Sequence, residues 1–142
     1  MNKEKQKRYD NLYMDLAKRF SEMSYAERLK VGSVLVKEDN IISYGFNGTP
    51  TGFKNVCEDD EGKTLPHVIH SEENVLIKAA KSGEKVQGST LYITHSPCVK
   101  CSRLLAQSGI VRVVYLDDYR DPEGKRLLEL VGVLVEQFEE TI

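Results

Sequence analysis

The stretch from His70 to Cys101 reads HSEENVLIKAAKSGEKVQGSTLYITHSPCVKC, and the rest of the chain is organised around it. It opens on an H-x-E pair, His70 and Glu72, and it closes on P-C-x-x-C, in which Pro97 precedes Cys98 and Cys101. Between the two motifs, a helical pattern is followed by one short apolar run, TLYIT, that is typical of a buried strand. The spacing therefore predicts a helix, a strand and a second helix, with one motif at the start of each helix.

The residue types in these motifs are those of a zinc site. One imidazole and two thiolates supply three ligands, and zinc prefers four in a tetrahedron, so one position stays open for water, as in catalytic sites. Cys98 and Cys101 are three residues apart, which places both on one side of a helix. We expect Ser96 to cap this helix and Pro97 to lie in its first turn. The thiolates then lie at the positive end of the helix, which lowers their pKa.

Other interpretations of the same residues remain open at this point. A C-x-x-C pair in an intracellular protein is also typical of a redox pair or of half of a zinc ribbon. Glu72 could be a fourth metal ligand, because spacing alone does not exclude it. A second C-x-x-C is absent from the sequence, and H-x-E lies upstream, which favours a catalytic zinc site. Zinc nucleobase deaminases carry H-x-E followed by P-C-x-x-C, with the glutamate as proton carrier and not as ligand.

Composition predicts one compact domain that spans residues 1–142. The 142 residues are 40% apolar, which is sufficient for a single core. No apolar run is long enough to cross a membrane, and the opening MNKEKQKRYD lacks the hydrophobic segment of a signal peptide. We therefore expect a cytoplasmic protein (in the host cytoplasm if it is phage-encoded) with no membrane partner. Cys57 is expected to be a reduced thiol, and a net charge of −2 gives no electrostatic footprint for a nucleic acid polymer.

Hydrophobic periodicity predicts the elements before the first motif. Apolar residues at spacings of three and four predict a core-facing opening helix, with Tyr9, Leu12, Tyr13, Leu16, Phe20 and Met23 on the buried side. VGSVLVK (31–37) and IISYGF (41–46), joined by the turn-forming residues 38–40, predict an antiparallel hairpin. The irregular segment 47–66 is long for a compact domain, which makes it a candidate binding loop.

The remaining pattern alternates strands and helices. TLYIT (90–94), VRVVYL (111–116) and VLVEQF (133–138) are typical of strands, and PCVKCSRLLAQS (97–108) and PEGKRLLELVG (122–132) of helices between them. Strands joined through helices need crossover connections, so these three strands should be parallel, with right-handed connections. The predicted fold is α/β: a three-layer α-β-α arrangement with a mixed five-stranded sheet and helices on both faces. Both motif-bearing helices should begin at one edge of that sheet.

Four stretches carry a resemblance to a known family. They are VGSVLV, YGFNGTPTGF with Cys57 after it, HSEEN, and LYITHSPCVKC with LLAQSGIVRVVY. From VGSVLV to about Tyr119 the chain resembles the cytidine deaminase superfamily. GFNGTPTG followed by Cys57 is similar to the deoxycytidylate (dCMP) deaminases, including the short forms of bacteria and their phages. Ser71 and Glu73 depart from the family pattern, which usually has Ala and an apolar residue at those positions.

The resemblance implies a zinc-dependent hydrolase. His70, Cys98 and Cys101 would bind Zn²⁺, and Glu72 would act as general acid and base. The implied reaction is hydrolytic deamination of dCMP to dUMP and ammonia, which feeds dTMP synthesis. The family also implies a homo-oligomer, a hexamer, with dCTP as an allosteric activator and dTTP as an inhibitor, both bound with Mg²⁺.

The resemblance also implies residues that contact the nucleotide. Asn47 matches the residue that contacts the sugar, Thr49 lies beside it, and Tyr119 matches a tyrosine near the nucleotide. A monophosphate needs a cation or helix N-terminal amides. Arg28 and Lys30, just before the first strand, are therefore our candidates for the phosphate.

Three rival functions share part of this pattern. An adenosine deaminase that acts on tRNA has both motifs, but we expect such a protein to carry a basic face for RNA. Cytidine deaminases for the free nucleoside typically have a cysteine in place of His70. The third rival is a nucleotide-binding zinc module without catalysis, and the intact Glu72 argues against it.

Overall fold

A computed structural model describes residues 2–119 and 121–140, and within them it contains four helices and five strands. In chain order these are α1 (Lys3–Ser21), β1 (Gly32–Lys37), β2 (Asn40–Phe46), α2 (Ser71–Lys81), β3 (Thr90–His95), α3 (Val99–Gln107), β4 (Arg112–Asp117), α4 (Glu123–Leu130) and β5 (Leu134–Gln137). Every helix and strand predicted from periodicity is present, with ends that differ by a few residues. Across the described ranges, no helix combines the length and the apolar character that a membrane span requires.

The five strands form one mixed sheet in the order β2-β1-β3-β4-β5. β1 pairs antiparallel with both β2 and β3, whereas β3, β4 and β5 run parallel. Glu38 and Asp39 form the tight turn of the β1–β2 hairpin, with φ of 50° and 62°. Two successive positive φ angles match the twist of the flanking strands, so Asn40 already belongs to β2 and pairs with Lys37. The predicted mixed sheet is confirmed.

Helices cover both faces of the sheet, which confirms the three-layer prediction. On one face, α1 packs over β1, β3 and β4 through Tyr13, Met14, Ala17, Val34, Val36, Tyr92 and Val114. The other face buries a larger cluster that α2, α3 and α4 cover, including Leu35, Val75, Ala79, Leu91, Ile93, Leu105, Val113 and Leu128. The β3-α3-β4 and β4-α4-β5 crossovers advance in the same direction along the sheet, so right-handed connections place both helices on the same face.

The buried side of α1 differs in part from the predicted one. Tyr13, Met14 and Ala17 are buried, but Leu12 is 48% exposed and Met23 is 59% exposed. Leu12 lies about 100° around the helix from Tyr13, which places it on the flank of the buried stripe. Met23 lies beyond the end of the helix at Ser21. The expectation that these two residues face the core was therefore wrong.

A partly buried ion pair ties α1 to the sheet. Nη1 and Nη2 of Arg112 donate to the two carboxylate oxygens of Asp10 at 3.0 and 2.8 Å, and the hydroxyl of Tyr92 donates to the same carboxylate at 2.6 Å. Burial alone would raise the pKa of Asp10, but hydrogen bonds from Arg112, Tyr92 and Gln6 outweigh it and hold that pKa below its ordinary value. The charged carboxylate is therefore stabilised in the folded state.

We expect Asp10→Asn to lower the free energy of unfolding by about 2 kcal/mol at neutral pH, since hydrogen bonds to charged groups are worth about 1.5–3 kcal/mol. Folding lowers the pKa of Asp10, so its contribution is present above the unfolded pKa of about 3.9 and is lost as the pH falls through the folded value. Urea unfolding at neutral and acidic pH measures this. Asp15→Asn, at an exposed position of the same helix, is the control. If the parent and Asp10→Asn differ in their free energy of unfolding by as much at acidic pH as at neutral pH, the ion pair is not the cause of the difference.

Candidate active site

The first motif lies at the start of α2. His70 is the N-cap, with extended backbone angles, and Glu72 lies in the first turn. The carboxylate of Glu73 accepts a hydrogen bond from the backbone N–H of His70 at 2.9 Å, which fixes the entry of the chain into the helix. Residues two apart lie on different sides of a regular helix, but at a cap both can point along the helix axis. The prediction that this motif lies at the start of a helix is confirmed.

The second motif lies at the start of α3, whose N-cap is two residues after the predicted one. Cys98 is the N-cap, and its carbonyl accepts from the N–H of Ser102 at 2.8 Å. Ser96 does not cap the helix, and Pro97 lies before the N-cap and not in the first turn, so both predictions were wrong. Its hydroxyl accepts instead from the N–H of Tyr119 at 2.6 Å and joins β3 to the segment after β4. Cys101 is buried in the first turn of α3, so both sulfurs lie at the positive end of the helix.

The starts of the two helices bring His70, Glu72, Cys98 and Cys101 together. Their ligand atoms all lie within 4.8 Å of one another. Nδ1 of His70 is 3.7 Å from Sγ of Cys98 and 3.3 Å from Sγ of Cys101. Zinc bonds of about 2.3 Å to sulfur and about 2.0 Å to nitrogen, at tetrahedral angles, place such atoms about 3.5 Å apart. The donor set and its spacing therefore fit Zn²⁺.

Hydrogen bonds within the cluster prepare one thiolate. The thiol of Cys101 donates to Cys98 and, together with His70, lowers the pKa of Cys98 to about 4. The same bond raises the pKa of Cys101. A second hydrogen bond, between the imidazole of His70 and Cys98, raises the pKa of His70 to about 8. Because a metal binds thiolate and neutral imidazole, zinc binding at this cluster releases protons.

Glu72 is the one carboxylate in the cluster, and it is buried. Its side chain is 5% exposed, and this burial raises its pKa to about 7, although the neighbouring imidazole of His70 opposes the shift. A carboxyl group with a pKa near neutrality can both accept and return a proton at physiological pH. The burial of Glu72 beside His70 therefore agrees with the general acid and base role that the sequence predicts for it.

Strands β1 and β2 hold the start of α2 in place. A Cβ on Gly45 would lie 2.7 Å from the carbonyl oxygen of Ser71, so this close approach requires glycine. The hydroxyls of Ser71 and Ser33, both fully buried, lie 2.7 Å apart. This pair gives Ser71, which departs from the family pattern, a structural role. Since Ser71 lies between His70 and Glu72, its contacts place both functional side chains.

Helix α4 supports the turn that carries Cys98, and sequence reasoning missed this contact. A Cβ on Gly124 would lie 2.1 Å from the carbonyl oxygen of Pro97 and 2.9 Å from the carbonyl carbon of Cys98. Only glycine allows α4 to pack this closely against the turn. A glycine inside a helical pattern, which weakens the helix unless packing requires it, is the sequence signal that could have found this contact.

A cleft of about 350 Å³ opens beside the cluster. Among the predicted nucleotide contacts, Arg28, Asn47 and Tyr119 line it, together with His70 and Glu72. Thr49 does not line the cleft, so the predicted contact between Thr49 and the nucleotide has no support from the cleft. The lining also contains two carboxylates and one imidazole that sequence reasoning did not single out for the site: Glu58, Asp118 and His95. These came from three separate segments, and no motif connects them.

Asn47 holds the backbone of the cleft wall. Its side-chain Nδ2 donates to the carbonyl of Leu29 at 2.8 Å, and its Oδ1 accepts from the N–H of Val31 at 2.9 Å. The amide retains one N–H and one lone pair, because each partner occupies one donor or acceptor site. Asn47 can therefore contact a sugar only while it also supports residues 29–31.

Comparison with known proteins agrees with this geometry. Residues 7–117 match the family model for the cytidine and deoxycytidylate deaminase zinc-binding region. The chain is 35% identical to ComE operon protein 2 of Bacillus subtilis over 82% of its own length, and 36% identical to deoxycytidylate deaminase of Saccharomyces cerevisiae over 92% of it. It spans 64% and 45%, respectively, of these two longer relatives.

A solved structure matches over nearly the whole chain. The dCMP deaminase of cyanophage S-TIM5, in complex with dCMP and dUMP, superposes with a TM-score of 0.90 at 44% identity. The match covers 97% of this chain and 99% of that one. With the motifs, the fold and the family model in agreement, the chain belongs to the cytidine and deoxycytidylate deaminase zinc-binding family.

Proposed function

We propose that this chain hydrolyses dCMP to dUMP and ammonia. The observation that carries the proposal is the convergence of His70, Glu72, Cys98 and Cys101 within 4.8 Å beside a cleft that Asn47 also lines. The cyanophage relative, whose structure contains dCMP and dUMP, supports the choice of nucleotide. In this proposal His70, Cys98 and Cys101 hold Zn²⁺, and Glu72 moves the protons.

The residues of the cluster divide the chemistry between them. Zinc, when bound, supplies a water made acidic enough to attack at neutral pH. Glu72 takes the proton of the attacking water and delivers it to the ring nitrogen beside the amino-bearing carbon, which makes that carbon more electrophilic. A C–O bond forms, Glu72 then takes the remaining proton from the added hydroxyl group and gives it to the amine, and the C–N bond breaks as the carbonyl forms. In the net reaction, one water and one dCMP give one dUMP and one ammonia.

Arg28 is our proposal for the phosphate contact. It is the one Lys or Arg among the described residues that line the cleft. Glu58 and Asp118, which also line it, are carboxylates, and Asp118 is ion-paired with Lys125. A substrate that carries a phosphate therefore has one cationic side chain to meet in this cleft. Lys30, the other sequence candidate, is exposed and does not line the cleft.

The experiment that tests this function measures ammonia release from dCMP, CMP, deoxycytidine, dCTP and adenosine side by side. We expect dCMP to have the highest kcat/KM. Arg28→Ala should reduce the preference for dCMP over deoxycytidine by about ten- to a hundredfold, the value of a charge-assisted hydrogen bond. Lys30→Ala is the matched control and should leave the preference unchanged. A parent that prefers the free nucleoside would refute the dCMP assignment and leave only the broader zinc-deaminase function.

Four further expectations also belong to this proposal. We infer a single domain over residues 1–142, a cytoplasmic location and assembly as a homo-oligomer, a hexamer. We also infer regulation by dCTP and dTTP with Mg²⁺. The resemblance to dCMP deaminases supports the hexamer and the regulation. The expected cytoplasmic location is consistent with the absence of a membrane-spanning helix in the described residues. Size-exclusion chromatography with light scattering, and assays with each effector, test assembly and regulation.

A further inference from the structure

Residues 24–31, called the cleft segment below, form one wall of the cleft. Ala26, Arg28, Leu29 and Val31 of this segment line it. The segment connects α1 to β1 and contains neither helix nor strand. Its backbone N–H and C=O groups therefore lack the partners that regular structure would provide, and those that are buried need partners from elsewhere.

Side chains from three positions provide those partners. Asn47 bonds the carbonyl of Leu29 and the N–H of Val31, as described above. The two other positions, Ser24 and Glu58, lie at the beginning of the segment and in the irregular loop opposite it. Neither has a role in the proposed chemistry.

Ser24 links the cleft segment to Asn47. Its side chain is buried, at 4% exposure, and Ser24 is not among the residues that line the cleft. The hydroxyl donates to the carbonyl of Asn47 at 2.8 Å and accepts from the N–H of Ala26 at 3.1 Å. The hydroxyl thus acts as both donor and acceptor. Ser24 joins the start of the cleft segment to Asn47, the residue that holds the end of that segment.

Glu58 holds the middle of the segment from the other side. Its carboxylate accepts from the N–H groups of Glu27 and Arg28, each at 3.2 Å, although Glu58 follows them by 31 and 30 positions in the sequence. Bonds from N–H groups to a carboxylate are stronger than bonds between neutral groups. The Arg28 backbone, and hence the position from which its guanidinium reaches the cleft, depends on Glu58.

We propose that Ser24 and Glu58 are positioning residues that hold the cleft segment in its substrate-binding conformation and so set the affinity for the nucleotide. The inference deepens the proposed function and rests on it. Without these bonds the backbone groups turn to water, and the segment populates conformations in which the wall is displaced. The apparent affinity then falls in proportion to the fraction of molecules that retains the wall. The zinc cluster on α2 and α3 is unaffected, so kcat is retained.

The test compares two buried serines in the zinc-loaded full chain. We expect Ser24→Ala, which removes both hydrogen bonds of the hydroxyl, to raise KM by about three- to tenfold, with kcat and zinc content unchanged. Ser24→Thr retains the hydroxyl and should restore KM. Ser43→Ala is the control, because Ser43 is also buried and donates to a backbone carbonyl, that of Val75, at 2.7 Å. It should lower Tm comparably but leave KM at the parental value.

Glu58 is tested in the same assay. Glu58→Ala should raise KM at least as much as Ser24→Ala, whereas Glu58→Gln keeps an acceptor oxygen and should recover most of the affinity. Hydrogen exchange without substrate should be faster at residues 24–31 in both alanine variants and unchanged there in Ser43→Ala. Parental KM in both alanine variants, or an equal rise in Ser43→Ala, would overturn the inference. If the parent deaminates no nucleotide, the proposed function and the affinity claim both fail, while exchange rates still report on the segment itself.

Discussion

Glu72→Gln is expected to retain zinc and to lose turnover by about a hundred- to ten-thousandfold, the range that a general acid and base contributes. The substitution keeps the size and polarity of the side chain but removes the group that accepts and returns the proton. Because the proposed zinc ligands are on His70, Cys98 and Cys101, the metal content should stay at the parental level. Metal analysis and steady-state kinetics on dCMP measure the two effects separately.

Glu73→Gln is the matched control for this variant. Glu73 is the next residue in the same helical turn, and its carboxylate bonds the backbone of the N-cap and takes no part in the proposed chemistry. Glutamine retains an oxygen that can accept that bond, so turnover should change far less than in Glu72→Gln. Parental kcat in Glu72→Gln would remove Glu72 from the mechanism. Loss of zinc in the same variant would instead make Glu72 a metal ligand.

Cys101→Ala is expected to abolish zinc binding, activity and a large part of the thermal stability. Cys101 is buried, and its sulfur lies 3.3 Å from Nδ1 of His70, so its removal leaves two ligands for a metal that needs three or more. A metal that binds only the folded chain at a thousand times its Kd adds about 4 kcal/mol of stability, which this variant would lose. Zinc analysis and melting curves with and without chelator measure both losses.

The chelator experiment and Cys57→Ala serve as controls. Chelator should lower Tm in the parent but not in Cys101→Ala, because the variant has no zinc to lose. Cys57 is buried in a separate small cluster with Ala26 and Val68, and it belongs to no described metal-binding group. Cys57→Ala should therefore keep one zinc per chain. If Cys101→Ala also held one zinc with full activity, the ligand set proposed here would be wrong.

Local patterns predicted the fold well, because each element carries its own periodicity. Alternation along β1 places Val34 and Val36 against α1 and Leu35 on the other face, and a strand buried on both sides has an apolar sequence like VLV. The parallel arrangement of β3, β4 and β5 follows from the helices between them. Ser96 and Met23 were misplaced at element ends, because caps depend on contacts outside the local pattern. Leu12 was misplaced on the flank of α1, because spacing alone does not fix the width of the buried stripe.

The four residues of the cluster were predicted from their spacing, since H-x-E and C-x-x-C each place their residues at the start of one helix. Their convergence was predictable, because α2 and α3 start at the same edge of the sheet. The contacts that hold the cluster in place were not predictable. Gly124 and Ser33 act through backbone and hydroxyl contacts with residues far away in sequence, and a single glycine or serine carries no pattern that identifies its partner.

The sequence by itself determined the α/β class, the four residues of the cluster and the family, because these depend on residue types and short spacings. Only the tertiary structure decided which polar residues share the cleft and what each one holds. Asn47 is the clearest case: the resemblance implies a sugar contact, whereas the structure shows its amide bonded to Leu29 and Val31. Ser24, within the same wall, bonds Asn47, 23 positions later, and Glu58 bonds Glu27, 31 positions earlier. The packing of the chain, and no local propensity, brings these partners together.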